Sequence, residues 1–418
     1  MLPNGWEKGV VEDIAKVSSG GTPSRQNESY WLGGQVPWVT TTEVKLGIIT
    51  NTEQKITEEG LKNSSAKLFP KDTILMAMYG QGKTRGQVAK LGIEASTNQA
   101  CAALQLNEGF EVDYYYQYLI SQYENIRDLA NSGGQQNLSG GIIKGIHVPI
   151  PPLPEQRKIA KILGTWDKAI STTERLIDSS KQQKKALMQQ LLKGKKRLFD
   201  QSGKPFEGEW EKVKLDDVVL NTQLGTSERT KDIKESSVIP LIKMGNLTWG
   251  GFNFNKLETI PKSIVDNNLI LQHGDFLFNT RNTPDLVGKS AVWKGQLTEV
   301  TFDNNINRIT FDHSVNTDFI CFYLTHGKGK STINSLPAGS TSVAAIYWKN
   351  LKNIKVPLPV ISEQTKIIFV LNNADQEIKL LAQQLADLKQ EKKALMQQLL
   401  TGKRRVKTND TESPNVSI

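Results

Sequence analysis

The segment Ala77-Met78-Tyr79-Gly80-Gln81-Gly82-Lys83-Thr84 has nearly the spacing of a phosphate-binding loop and follows an apolar run typical of a strand. Such a loop requires a helix directly after its Lys-Thr pair, because the helix amides must point at the phosphates. Arg85-Gly86 and Leu91-Gly92 follow instead, and the first position is Ala rather than Gly. Nucleotide hydrolysis by Lys83 and Thr84 therefore stays open as an alternative, but the sequence does not favour it.

Other residue types that support catalysis are scattered along the chain. The four histidines, His147, His273, His313 and His326, have no metal-ligand spacing. Cys101 and Cys321 lie 220 residues apart, which predicts neither a disulfide framework nor a metal knuckle. No nucleophile elbow, zincin helix or dinucleotide fingerprint is present. We therefore expect no catalytic residue, no metal site and no cofactor in this chain.

Polar, glycine-rich loops are better suited to binding nucleic acid. Arg and Lys fork onto guanine in the major groove, and Gln and Asn pair with adenine. Each loop taken alone could equally be a solvated turn. The candidate DNA contacts are Ser19, Gly20, Gly21, Thr22, Arg25, Gln81, Lys83, Arg85, Gln135, Gln136, Asn137, Asn279, Thr280, Arg281, Asn282, Ser340 and Thr341.

The elements that must position these loops belong to an internal duplication. Residues 155–198 and 363–406 align without a gap at an offset of 208, and 21 of the 44 positions are identical. Weaker matches follow at an offset of 203: Val36-Pro37 with Ile239-Pro240, and Asp72-Thr73-Ile74-Leu75 with Asp275-Phe276-Leu277-Phe278. The helical parts are therefore alike in the two halves, whereas the intervening parts differ.

Both repeated segments are predicted to be long helices, over residues 153–198 and 359–406. Apolar residues recur every three or four positions for more than four heptads, which indicates a coiled-coil seam. Pro154 and Ser362 suit the helix starts, where Glu155 and Glu363 match the helix dipole. Gly194 and Gly402, each followed by basic residues, suit the ends. The predicted seam is Ile159, Leu163, Trp166, Ile170, Ile177, Leu187, Leu191, Ile367, Leu371, Ile378, Leu385, Leu388, Leu395 and Leu399.

A helix with one apolar stripe needs a partner, and its own copy is the economical choice. The predicted fold is α+β: two mixed α/β globular segments, 1–152 and 199–358, separated by a pair of long antiparallel coiled-coil helices with pseudo-twofold duplication. The alternative is that the helices are core helices of two ordinary domains. Residues 407–418 are polar and predict a disordered tail.

Positive charge is concentrated in the helices. The chain carries a net charge of +9 and a pI near 9.2, which favours a polyanionic partner. The two helical segments hold 20 basic and 9 acidic residues, a net of +11, so the remainder has a net of −2. Any DNA-facing basic patch in the globular segments must therefore be local, and we expect partner subunits to supply some of the phosphate contacts.

These residues resemble a known family. Both halves carry Pro-Leu-Pro, Glu-Gln and Lys-Ile at the entry to a long helix that ends in Lys-Ala-Leu-Met-Gln-Gln-Leu-Leu-x-Gly-Lys. This duplicated pattern looks like the specificity subunit of type I restriction-modification enzymes. Gly20-Gly21-Thr22-Pro23, Val36-Pro37-Trp38-Val39 and Thr97-Asn98-Gln99 look like its first target-recognition domain. The second half has Gly225-Thr226-Ser227 and Asp303-Asn304-Asn305 instead of the first and last motifs.

The resemblance implies a non-catalytic, sequence-specific DNA-binding subunit. Target-recognition domains 1 (1–152) and 2 (199–358) would each read one half of a bipartite, asymmetric double-stranded target, with the helices as spacers. Two modification subunits, which are adenine methyltransferases using S-adenosylmethionine, and restriction subunits, which use ATP and Mg, would join it. The alternative function is a protein-binding coiled-coil scaffold without direct DNA readout.

The expected location is the cytoplasm. The sequence has no run of eighteen apolar residues, so no membrane span or membrane partner is predicted. Met1-Leu2-Pro3-Asn4 does not begin a basic region followed by an apolar stretch, so no secretion signal is expected.

Overall fold

The computed structural model describes residues 2–80, 83–129, 137–228, 237–339 and 343–408. The chain divides into two compact units, of which unit 1 comprises residues 1–175 and 383–418 and unit 2 comprises residues 176–382. Each unit is a mixed α/β structure that includes half of each of two long helices. This arrangement confirms the predicted fold class.

The described residues of unit 1 form three antiparallel or mixed sheets. Their strand orders are β1-β11, β2-β10-β7-β8-β4 and β5-β3-β9-β6. The strands are β1 (Glu7–Val10), β2 (Ala15–Ser19), β3 (Val36–Val39), β4 (Ile48–Ile49), β5 (Gln54–Ile56), β6 (Leu68–Phe69), β7 (Ile74–Ala77), β8 (Val88–Leu91), β9 (Ala95–Thr97), β10 (Cys101–Leu106) and β11 (His147–Ile150). The helices are α1 (Val11–Ile14), α2 (Glu58–Lys62), α3 (Val112–Ser121), α4 (Tyr123–Leu129), α5 (Gly140–Lys144) and the first half of α6 (Leu153–Leu191).

The described residues of unit 2 follow a similar plan with one additional three-stranded sheet. Its sheets have the strand orders β12-β23, β13-β20-β16-β18, β15-β14-β19 and β17-β22-β21. The strands are β12 (Glu211–Lys214), β13 (Val219–Leu224), β14 (Val238–Ile242), β15 (Glu258–Pro261), β16 (Phe276–Asn279), β17 (Arg281–Asn282), β18 (Ser290–Val292), β19 (Thr301–Phe302), β20 (Ile306–Phe311), β21 (Ala338–Gly339), β22 (Ala344–Ala345) and β23 (Lys355–Leu358). The helices are α7 (Thr317–Thr325), α8 (Gly327–Asn334), α9 (Trp348–Leu351) and the first half of α10 (Ile361–Leu399).

Side chains alternate between the two faces of the five-stranded sheet of unit 1, and each face packs against a core. Ile74 and Met76 of β7 face a core that includes Ile159 and Leu163 of α6. Leu75, one residue out of phase, faces a separate core beneath the four-stranded sheet. The same division holds in unit 2, where Phe276 and Phe278 pack toward the long helices and Leu277 packs on the other side. The long helices are therefore part of the domain cores at their ends.

The two long helices run antiparallel in each unit. In unit 1 Asp167 of α6 pairs with Lys392 of α10 at 2.6 Å, and Glu174 pairs with Lys389 at 2.7 Å. Residue numbers on α10 fall as those on α6 rise, which is the antiparallel order. In unit 2 Lys184 pairs with Asp375 at 2.5 Å, and this pair is the duplicate of Asp167–Lys392 at the offset of 208.

The facing stripe of α6 and α10 is shielded from solvent along its length. Every residue of the predicted seam is buried or partly buried. Lys184 and Lys392 interrupt this apolar stripe, and each forms one of the ion pairs between α6 and α10 described above. The stripe therefore accommodates two charges by pairing each with a carboxylate across the helix contact.

A buried carboxylate of unit 1 joins the start of α6 to the segment after α10. Glu155 is 5% exposed, and its carboxylate accepts two hydrogen bonds from the guanidinium of Arg405, one of them 2.8 Å from Nε. Trp6 Nε1 donates to the same carboxylate at 3.3 Å. We call this arrangement the glutamate clamp. Its bidentate geometry is the strongest form of Arg–carboxylate pairing.

Unit 2 contains the duplicate glutamate clamp. Glu363 is fully buried and accepts hydrogen bonds from Arg197 Nε at 2.7 Å and Nη2 at 2.8 Å. Trp210 Nε1 donates to it at 3.2 Å. The prediction that Glu155, Glu363 and the basic residues interact with the helix dipoles is therefore incomplete. These side chains also bind one another.

The helices end earlier than predicted, at Leu191 and Leu399. Gly194 and Gly402 follow in the left-handed region, with φ of 64° and 72°. Lys195 N then bonds back to Gln190 O at 3.0 Å, which closes the helix end as in a Schellman motif. Ser362 lies inside the first turn of α10 rather than at its N-cap, because Glu363 N and Gln364 N bond to Val360 O.

One sequence match between the halves is out of register by one residue. Leu91 N donates to Thr73 O at 2.9 Å, and in unit 2 Trp293 N donates to Asp275 O at 2.8 Å. Thr73 therefore corresponds to Asp275 at an offset of 202, and the offset of 203 predicted for this strand is wrong. A one-residue slip reverses which face each side chain occupies, so the apparent Asp-to-Asp match carried no structural meaning.

We expect Arg405→Ala to lower the free energy of unfolding of unit 1, because the carboxylate of Glu155 would stay buried without its main partner. Amide hydrogen exchange should become faster in residues 2–175, and the increase in rate should be smaller in unit 2. Thermal unfolding with hydrogen-exchange mass spectrometry measures both effects.

Arg404→Ala is the matched control, since Arg404 is exposed and adjacent. Its effect should stay within about 0.5 kcal/mol. The double variant Glu155→Gln/Arg405→Ala should be more stable than the sum of its single effects predicts. Strict additivity would contradict the importance assigned to this pair.

Candidate nucleic-acid interface

Three of the predicted loops of unit 1 meet at one turn, Asn98–Ala100, which we call hub turn 1. Gly21 N donates to Thr97 O at 2.9 Å, so the loop after β2 lies on one side of the turn. Met78 N donates to Ala100 O at 2.9 Å, and this places the β7–β8 connection on the other side. Leu138 N donates to Met78 O at 3.0 Å and brings the 137–138 segment to the same edge.

Close packing of glycines fixes the first of these loops. A Cβ atom on Gly20 would collide with the carbonyl oxygen of Thr97, and one on Gly21 would collide with Ser65. Both glycines are buried, so any contact they make with a ligand is through their neighbours. Thr22, half-buried, donates its hydroxyl to Gln99 Oε1 of hub turn 1. Ser19 and Arg25 are the exposed predicted residues of this loop.

The β7–β8 connection carries exposed Lys83 and half-buried Arg85. Tyr123 of α4 donates its hydroxyl to Lys83 O at 2.6 Å, which holds this connection against the helix. After Thr84 the chain turns at Gly86, with a φ of 83°, and enters strand β8, antiparallel to β7. A strand rather than a helix therefore follows the Lys-Thr pair, and the phosphate-binding interpretation is wrong as to local structure.

Unit 2 has a second hub turn at Asp303–Asn305, built by the duplicate hydrogen bonds. Thr226 N donates to Phe302 O at 2.9 Å, as Gly21 N does to Thr97 O. Thr280 N donates to Asn305 O at 2.8 Å, and Ile346 N donates to Thr280 O at 3.0 Å. Gly225 packs against Phe302 O as Gly20 packs against Thr97 O. The backbone hydrogen bonds of the two hub turns are therefore the same, whereas the side chains around them differ.

The predicted polar loop 279–282 is instead a strand end and a short strand. Asn279 is the last residue of β16 and is fully buried, so its side chain cannot reach a ligand at the surface. Arg281 and Asn282 form β17, which pairs with Ala344–Ala345. Arg281 is exposed, whereas Thr280 is half-buried and donates its hydroxyl to Asn305 O at 2.9 Å.

Some predicted contacts lie elsewhere or outside the described residues. Asn137 is exposed beside Leu138, at the edge formed by hub turn 1. The remaining predictions fall outside the residues that the structure describes; they are Gln81, Gln135, Gln136, Ser340 and Thr341. Most of the predicted tail, residues 409–418, is outside them too.

The DNA contacts predicted from the sequence do not include two residues of the hub turns, which lie in the motifs Thr97-Asn98-Gln99 and Asp303-Asn304-Asn305. Gln99 and Asn304 occupy the same position in the two units, and both side chains are exposed amides. They lie in turns that bond to segments far away in the chain, for example through Asn304 N to Thr226 O at 3.0 Å. The signal that could have found them is the pair of polar residues that follows Thr97 and Phe302 at equal distance from Gly20 and Gly225.

The described residues include no group of His, Cys, Asp or Glu side chains that could hold a metal ion. Burial raises the pKa of the Cys101 thiol to about 12 and that of Cys321 to about 12, so both stay protonated at neutral pH and are poor nucleophiles. Burial also lowers the pKa of His326, whose Nδ1 is 3.1 Å from Phe322 O. Across the same described segments, no helix is long and apolar enough to cross a membrane.

Comparison with known proteins identifies these paired frames. The family model "Type I restriction modification DNA specificity domain" matches residues 3–180 and again residues 207–390. The type I restriction enzyme MjaVIII specificity subunit of Methanocaldococcus jannaschii is 27% identical over 97% of this chain and 94% of its own length. The EcoKI specificity subunit of Escherichia coli K12 is 22% identical over 88% of this chain and 81% of its own.

Solved structures share the fold. The S subunit of a type I restriction-modification system from M. genitalium superposes with a TM-score of 0.57 at 16% identity, covering 96% of this chain and 98% of that one. The HsdS subunit from Thermoanaerobacter tengcongensis gives a TM-score of 0.51 at 16% identity, covering 96% and 98%. At these identities the structures establish the architecture alone.

The family resemblance seen in the duplicated helix motifs is thereby confirmed, together with the expectation of DNA recognition rather than catalysis. The chain belongs to the family of type I restriction-modification DNA specificity domains and carries two copies of that domain.

Proposed function

We propose that this chain is the specificity subunit of a type I restriction-modification complex and reads a bipartite, asymmetric DNA sequence with one half-site per unit. The observation that supports this most directly is the duplicated hub turn. The two units use the same backbone hydrogen bonds at this turn, but they present different side chains around it. A constant frame with variable side chains is what two different short sequences require.

The chemistry of the complex would belong to other subunits. Two modification subunits would bring S-adenosylmethionine and methylate adenine, and restriction subunits would bring ATP and Mg. Within this chain the proposed contacts to DNA are made by exposed residues near the hub turns, including Arg25, Lys83, Asn137 and Arg281. The cytoplasm, where the DNA is, would be its site of action.

The alternative of a protein-binding scaffold has one observation in its favour, which is the net charge of −2 outside the helical segments. DNA titration at several salt concentrations separates the two functions. A DNA reader loses affinity steeply as salt rises, because cations are released from the phosphates on binding. A complex with modification subunits that shows no salt-dependent DNA binding would favour the scaffold.

The proposed function is tested most directly by mapping methylated adenines in a host that expresses this chain with its modification subunit. We expect one motif made of two short half-sites separated by a fixed number of unspecified bases. Absence of any sequence-specific methylation above that of the host with the modification subunit alone would overturn the proposal.

We expect Gln99→Ala to relax one base position in one half-site by about 5- to 100-fold, because an amide that forks onto adenine is lost. Asn304→Ala should relax a position in the other half-site only. Methylation maps of the two variants measure both changes. Each variant is the control for the other, and a change in the same half-site for both would contradict the assignment of one half-site per unit.

We also propose that α6 and α10 set the spacing between the half-sites. Insertion of one heptad after Arg175 and one after Gln383 keeps the stripe in register, because a whole heptad is added to each helix and the two positions are equivalent at the offset of 208. Each insertion lengthens a helix by about 10 Å, equivalent to about three base pairs. The mapped motif should keep its half-sites and gain about three bases between them; an unchanged spacer would refute the role of the helices.

A further inference from the structure

Arg25, in the loop after β2, is an exposed cation stacked on two tryptophans. Its guanidinium carbon lies 3.6 Å from the ring centroid of Trp31 and 5.0 Å from that of Trp38. The side chain is exposed, and it forms no hydrogen bond or ion pair with the residues that the structure describes. A guanidinium stacked on an indole face keeps its donor edge available to a ligand.

The two tryptophans also fix the backbone from which Arg25 projects. Trp38 is 2% exposed and donates its Nε1 hydrogen to Gly21 O at 3.0 Å. Trp31 packs edge-on against Trp38, with ring centroids 5.0 Å apart, and donates Nε1 to Ser24 O at 3.0 Å. The indole groups therefore hold the loop by hydrogen bonds at Gly21 and at Ser24, the residue that precedes Arg25. This reduces the conformational entropy that Arg25 would lose on binding.

A ligand for this group needs two hydrogen-bond acceptors on one planar edge. Guanine offers O6 and N7, and a phosphate group offers two oxygens. The surrounding sequence does not form a basic patch, because residues 18–62 contain four Lys or Arg and five Glu. Phosphate contacts act through accumulated positive charge, whereas base readout depends on the geometry of a single side chain. The local charge therefore favours guanine.

Arg25 also lies close to the other elements of the interface. Thr22, three residues earlier, bonds to Gln99 of hub turn 1. The stacked arginine and the exposed amide are thus attached to the same short loop and turn, and both can address neighbouring bases.

We propose that Arg25, held on Trp31 and Trp38, reads a guanine in the half-site recognised by unit 1. This rests on the proposed function of the chain as a DNA specificity subunit. Arg25 is then a specificity-determining residue, and Trp31 is a positioning residue that acts through it. The motif read by the intact complex should accordingly contain a guanine whose recognition depends on both side chains.

The test is methylation mapping of the full chain, expressed with its modification subunit, on a library of randomised target sites. Arg25→Ala should reduce discrimination at one G·C pair in one half-site by about 10- to 100-fold and leave the other half-site unchanged. Arg25→Lys should restore overall methylation more than it restores this discrimination, because lysine keeps the charge but lacks the planar fork. Trp31→Leu should reduce discrimination at the same base pair.

Lys55→Ala is the matched control, since Lys55 is an exposed cation in the same segment and its loss changes the net charge equally. Its motif should equal that of the unmodified chain. An unchanged motif in Arg25→Ala would overturn the proposal, as would relaxation at a position other than guanine. A uniform loss of methylation that Arg25→Lys repairs would identify a phosphate contact and also overturn it. Absence of any bipartite motif with the unmodified chain would instead refute the proposed function itself.

Discussion

The glutamate clamp is the contact on which the rest of each unit depends. In unit 1 it joins the start of α6, the segment after α10 and the N-terminal strand region, because Glu155 binds Arg405 and Trp6 together. The adjacent Gln156, also buried, accepts from Glu111 N at the start of α3 and donates to Pro151 O. Two consecutive side chains therefore fix the domain to its helices. A buried carboxylate without such partners would destabilise the fold, so the whole set must be kept together.

This constraint explains why the helical segments stayed alike while the loops diverged. Gln364 of unit 2 repeats the bonds of Gln156, accepting from Asn316 N and donating to Pro359 O. Glu155, Gln156 and Arg405 each have partners on more than one segment, so few substitutions preserve all their hydrogen bonds. Lys83 and Arg281, in contrast, are exposed, and their side chains take no part in the buried cores. Stability and specificity are thus carried by different residues of the same duplicated unit.

Much of the fold could be predicted from the sequence, because its strongest signals are local. The 3-4 spacing from Ile159 to Leu191 requires nothing but helix geometry, and the duplication supplies the partner helix. Long-range pairing could not be predicted in the same way. The sequence predicts only a helix-end charge at Arg405, since its carboxylate partner is 250 residues away. The sequence predicts a loop at Asn279, because the burial of this residue results from the pairing of β16 with β18 and β20. The polar loops were found, but their meeting at the hub turns depends on backbone hydrogen bonds that have no sequence signature.

The contacts between domain and helix differ even where the helix charges are duplicated. Asp167 accepts both from Lys392 and from Gln117 of α3, whose Nε2 lies 2.5 Å from Oδ2. In unit 2 the residue corresponding to Gln117 is Phe322, and Lys184 lies 5.5 Å from its ring centroid while pairing with Asp375. One ion pair thus tolerates an amide in one unit and an aromatic ring in the other. Because Lys184 and Lys392 are each neutralised by the opposite helix, the domain surface beside them is not required to supply a counter-charge. The helix pair can therefore support globular units whose remaining sequences have little in common.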